Sequence, residues 1–122
     1  MSEVREDAEE KANRLGMLLV KPSSSEVFVD IDSVEEFEEF TIRWKLAEKL
    51  WPKAGYRFTE SSSGIGHYHI YVTIPELDPI DNFERIAVQA ALGSDPFREL
   101  LAVYHGRAGY VHTSVFFEKA AA

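Results

Sequence analysis

Hydrophobic and polar residues alternate with period two in three stretches of this chain and recur at three-and-four spacing in four others. In Glu26 to Asp32, Val27, Val29 and Ile31 point to one face of a strand, and Phe28, Asp30 and Asp32 to the other. A second strand, Tyr56 to Ser61, is followed by the small, flexible run Ser61–Gly66 and a third strand over Gly66 to Pro75. There Tyr68, Ile70, Val72 and Ile74 form a core face, and His67, His69, Tyr71 and Thr73 form the opposite one. Val111 to Glu118 alternates as a last strand, and Met17 to Val20 can add a short one.

The helical stretches carry their own start and stop signals. Ser33 with Glu36 three residues on suits a capping box. Phe37, Phe40, Trp44, Ala47 and Trp51 then make an apolar stripe that Pro52 and Gly55 end. Asp78-Pro79 signals a helix start before Ile80, Phe83, Ile86, Ala87 and Ala90, with Gly93 as the stop. Asp95-Pro96 opens another helix, with Phe97, Leu100, Leu101 and Tyr104, closed by Gly106. Ser2 to Leu15 predicts an amphipathic N-terminal helix.

The predicted order is strand, helix, strand, strand, helix, strand after that prefix. This is an α+β sequence of the ferredoxin-like or RRM-like βαββαβ type, an antiparallel sheet with its helices on one face. Residues 1–25 form an N-terminal helix and connector, and residues 26–119 the single domain, in keeping with 122 residues and 45% hydrophobic content. In this topology the first and third strands pair antiparallel at the centre, which brings Asp30 and Asp32 beside His67 and His69.

Composition narrows the chemistry. The absence of cysteine removes disulfides and thiolate metal sites. No apolar run spans a membrane and the acidic N-terminus is unlike a signal peptide, so a soluble, cytoplasmic protein without a membrane partner is expected. A net charge of −8 argues against a broad nucleic-acid surface, though Arg57, Arg85, Arg98 and Arg107 can form a local basic one.

Two carboxylates on one strand face are either solvated or share a cation, and an Asp-x-Asp pair suits Mg²⁺ or Mn²⁺. Two histidines two strand residues apart, roughly 6 to 7 Å between Cα atoms, suit a shared metal or phosphate. Glu60, His112 and Glu118 are further ligand candidates, with Glu118 expected at the end of the last strand far from Asp32 and His112 at the near end. Phe28 and Tyr71 either stack a base or are covered by the N-terminal segment. Ser63-Gly64 in the hairpin loop can present backbone N–H groups to a phosphate.

Val27-Phe28-Val29-Asp30-Ile31-Asp32 resembles the hydrophobic-Asp-hydrophobic-Asp motif of the archaeo-eukaryotic primase-polymerase superfamily. Ser63-Gly64 followed by His69-Ile70-Tyr71-Val72 resembles its second motif, and Leu92 to Arg98 is similar to a segment of related phage-encoded proteins. The resemblance implies an RRM-like core that transfers or binds nucleotides, with Mg²⁺ or Mn²⁺ on Asp30 and Asp32. It makes Asp30, Asp32 and His69 the catalytic candidates and Ser63, Gly64, His67 and Arg98 the nucleotide-binding ones. It further implies a minimal, virus- or mobile-element-type protein acting on nucleotide or single-stranded nucleic acid, with or without a larger replication protein. His67-Tyr68-His69 is also similar to the His-hydrophobic-His signature of nicking endonucleases, which implies a tyrosine nucleophile, Tyr104 before Tyr110. A non-catalytic RRM-like binding module is the third reading.

Overall fold

The computed structural model describes residues 8–61 and 66–119. Its elements are α1 (Ala8–Leu15), β1 (Met17–Val20), β2 (Glu26–Ile31), α2 (Val34–Leu50), β3 (Gly55–Glu60), β4 (Tyr68–Thr73), α3 (Asn82–Ala91), α4 (Pro96–Arg107) and β5 (Phe116–Lys119), with a 3-10 turn at Pro75–Leu77. The fold is α+β with antiparallel sheets. β2, β4 and β3 form a three-stranded sheet in that order, so the expected antiparallel pairing of β2 with β4 is present, with Asp30 opposite His69, but β2 is an edge strand and only β4 is central. Among the described residues no helix is long and apolar enough to cross a membrane.

One sheet face is closed by α2. Val27, Val29 and Ile31 of β2 and Ile70, Val72 and Ile74 along β4 pack with Phe40, Trp44 and Ala47, the stripe that the three-and-four spacing predicts. Ser33 caps α2 by accepting from the Glu36 backbone N–H at 3.1 Å. A reciprocal capping box forms at α3, where Glu84 N donates to Asp81 and Asp81 N to Glu84. That helix therefore begins at Asn82, not at Asp78-Pro79. α4 likewise runs past Gly106 to Arg107, and Gly109, with φ of 95°, follows the turn that ends it.

The last strand departs most from expectation. It spans only Phe116–Lys119, and it pairs with β1 in a separate two-stranded ribbon instead of extending the sheet beside β2. The edge of β2 is met by side chains from α3 and the segment entering α4. Arg85 donates to Glu26 O, Gln89 Oε1 accepts from Phe28 N, Arg98 donates to Phe28 O, and Ser94 Oγ accepts from Asp30 N. Asp95 N closes the series on Asp30 O at 2.9 Å. Four helical residues rise about 6 Å and two strand residues about 6.6 Å, so Arg85 and Gln89 keep step with Glu26 and Phe28. Two of the arginines expected on a basic surface, Arg85 and Arg98, are thus spent on the frame. Burial also lowers the Arg85 pKa from its ordinary value.

Candidate functional site: a carboxylate cluster beside a held histidine

The β1–β5 ribbon lies over the sheet face opposite α2. Phe116 stacks on Phe28 with ring centroids 4.8 Å apart, Tyr71 meets both edge-on, and Val20 packs beside them. Phe28 is fully buried and Tyr71 nearly so. They are therefore covered by the ribbon and are not an open stacking platform. What remains of the face is its rim, at the C-terminal end of β2 and the N-terminal end of β4.

The acidic pair and the histidines do converge there. Asp30 Oδ1 lies 3.9 Å from His69 Nε2, and Asp32 Oδ1 lies 3.4 Å from His67 Nδ1. Asp32 and His67 stand toward solvent, whereas His69 is only 8% exposed. Its imidazole stacks flat on Phe116, 3.8 Å between centroids, and its Nδ1 is 2.7 Å from Glu118 Oε1. Glu118 also accepts from the Tyr71 hydroxyl. The expectation that Glu118 lies at the far end is corrected: with β5 laid across the sheet, its next inward residue after Phe116 drops onto His69. Burial, then the bond to Glu118 and its charge, raises the Tyr71 pKa above its ordinary value.

A carboxylate that sequence reasoning read only as a helix cap completes the cluster. Asp95 caps α4 by accepting from Phe97 N at 3.0 Å, and its backbone N–H anchors it to Asp30. One oxygen from each of Asp30, Asp32 and Asp95 lies within 4.8 Å of the others. Like charges at that distance repel by roughly 3 kcal/mol at an effective dielectric near 20 and by under about 1 kcal/mol in bulk water. Burial raises the Asp30 pKa, Arg98 and His69 pull against it, and Asp32 and Asp95 add to it. The signal for Asp95 was its place between Ser94 and Pro96 in a stretch already singled out. Nothing in the local pattern reveals that Ser94 and Asp95 bond the edge of β2.

The donor set fits a hard divalent cation: three carboxylates, no sulfur, and one of them desolvated without full neutralisation. Arg98, a nucleotide-binding candidate, lines the site but is occupied. It bonds Phe28 O and Glu99 and sits over the Phe116 ring, so its charge acts on Asp30 from a fixed place. Ser63 and Gly64 lie outside the described residues. Glu60 pairs in register with Tyr68 and so belongs to the α2 side of the sheet, away from the cluster.

Asp30, Asp32 and His69 open into a cleft of about 540 Å³, whose other walls include Lys11 of α1, Tyr110 and His112. Tyr104, the first tyrosine candidate, does not line it and is largely exposed on α4. Compared with family models, curated proteins and solved structures, the chain matches none.

Proposed function

We propose that this cleft binds phosphate groups of a nucleotide or a single strand through Mg²⁺ or Mn²⁺ held by Asp30, Asp32 and Asp95, as a minimal primase-polymerase-like site. The observation that carries the reading is the meeting of three carboxylates from two chain-distant segments, with His69 in register beside Asp30. The β2–α2–β3–β4 part keeps the strand order of an RRM-like core, which supports the same reading. A divalent cation held by Asp30, Asp32 and Asp95 would supply neutralisation of phosphate charge and Lewis-acid polarisation of a phosphoryl oxygen.

The chain's own groups have separable tasks. Glu118 holds Nδ1 of His69 at 2.7 Å, which leaves Nε2, 3.9 Å from Asp30, as the nitrogen that could join a cation's ligands. Phe116 keeps water from one face of that imidazole. His67, at the exposed rim, adds a second imidazole that can meet a phosphate as a cation when protonated. Arg98 limits the accumulated negative charge without leaving the frame.

Isothermal titration with Mn²⁺, alone and with a nucleoside triphosphate, tests the reading. Saturable binding that weakens at least tenfold in both Asp30→Asn and Asp95→Asn is expected. A flat titration of the folded wild type sinks it.

The nicking-endonuclease reading is favoured by one observation, that Tyr110 shares the cleft with His69. It requires a covalent phosphotyrosine adduct on single-stranded DNA that persists in Tyr104→Phe and disappears in Tyr110→Phe.

A further inference from the structure

The outer face of α2 carries three exposed aliphatic side chains, Ile42, Leu46 and Leu50, at 61%, 66% and 66% exposure. The inner face of the same helix is fully used by the sheet. Ile42 and Leu46 stand one turn apart at the middle of this face, with Glu35 and Glu39 before them and Lys49 after them at four-three-four-three spacing, so all five share one side of the helix. A purely solvated face would not need two large aliphatic residues at its middle.

The charges on this face say what the other helix is. Counted outward from Ile42, Glu39 and Lys45 stand three residues to either side, Glu35 and Lys49 seven, and the exposed Val34 and Leu50 eight. Opposite signs at equal distances from one centre are what a two-fold axis requires, because each residue then meets its counterpart on the other copy. Laid antiparallel with Ile42 on Ile42, two such helices put Glu35 against Lys49 and Glu39 against Lys45, each twice. A parallel pair would set glutamate on glutamate and lysine on lysine. Two pairs break the pattern: Glu36 and Glu48, six residues either side of Ile42, which lie on the flanks where Glu36 is half-buried, and Glu38 and Leu46, four residues either side, so that Leu46 meets the methylene stem of Glu38 on the other copy and Ile42 alone meets its own counterpart.

We infer that the outer face of α2 is a self-association surface on which two copies of this chain pair antiparallel about Ile42. Glu39 exchanges part of its contact with Arg43 of its own helix, now at 3.2 Å, for Lys45 of the other copy. The carboxylate cluster lies on the opposite face of the sheet, so pairing leaves both clefts open. The inference does not depend on what those clefts bind.

The test is the molar mass in solution by sedimentation equilibrium at low salt, using the full chain and two charge-reversed variants. Wild type is expected at twice 13.9 kDa, and Glu35→Lys with Glu39→Lys, or Lys45→Glu with Lys49→Glu, at the monomer mass. Mixing the two variants is expected to restore a one-to-one dimer, since the four paired positions are then all basic on one copy and all acidic on the other. All four positions are exposed, and circular dichroism checks that each variant is folded. A monomeric wild type, a dimer that survives either reversal, or a mixture that stays monomeric overturns the inference.

Discussion

His69 and Glu118, 49 residues apart in sequence, meet at 2.7 Å between Nδ1 and Oε1 beneath the Phe116 ring. The same carboxylate accepts from Tyr71, so one acidic group on the ribbon satisfies two polar groups of the sheet. Glu118→Ala strands both. Leaving a buried donor unpaired costs about 1 to 3 kcal/mol, so a loss of roughly 2 to 4 kcal/mol is expected in urea unfolding, with much of it recovered in Glu118→Gln. Mn²⁺ binding, if His69 contributes to it, should weaken about 10- to 100-fold in Glu118→Ala.

Gln89 is the keystone of the β2 edge. Completely buried, it accepts from Phe28 N at 2.8 Å and donates to Glu99 and Ser114 at 2.7 and 3.0 Å. Gln89→Ala leaves a strand N–H and a buried carboxylate short of partners, for a cost of about 3 kcal/mol or more. Gln89→Glu should be no better, because it sets a second carboxylate beside Glu99. Matched m-values in denaturant titrations establish that the loss is one of stability.

The cluster of Asp30, Asp32 and His69 was legible because strand alternation and central-strand pairing are short-range rules. Val27-Phe28-Val29 and Ile70-Tyr71-Val72 each announce their faces, and one topology then fixes Asp30 against His69. The part played by Asp95 and the place of Glu118, itself a ligand candidate from the sequence, were not legible, because both follow from where side chains, not strands, complete an edge. Gln89, Ser94 and Arg98 occupy the side of β2 that a fourth strand was expected to take. β5 is thereby displaced onto β1, and its residues arrive at the cluster from above the sheet. The span Asp78 to Asp81 misled for a more local reason: two Asp residues compete for one cap, and only Asp81 has a Glu three residues on.

The ribbon's hold on the domain runs through Phe116. Two strands alone are marginal in water, and this ring contacts Phe28, Tyr71 and His69 at once. Phe116→Ala should cost about 3 to 5 kcal/mol and release the ribbon before the sheet. Hydrogen exchange is expected to show lost protection at 17–20 and 116–119 while the amides of β2 and β4 keep theirs.

Asp30 gives the site a pH signature of definite sign. Its folded pKa is raised, chiefly by burial, so the native state holds the proton more tightly than the unfolded chain does. Stability from this group is therefore fully present below the unfolded value of 3.8 and declines as pH rises through the folded value. At neutral pH the ionised carboxylate works against folding, and Asp30→Asn removes that cost. The variant should melt above wild type at pH 7, and the gap should close on acidification below 3.8. Mn²⁺ at a hundredfold excess over the wild-type Kd should reverse the order at pH 7, since it adds about 2.7 kcal/mol to wild type and about 1.4 kcal/mol or less to a variant that binds at least tenfold more weakly. A wild type that melts above Asp30→Asn without metal would mean that Arg98 already neutralises the cluster.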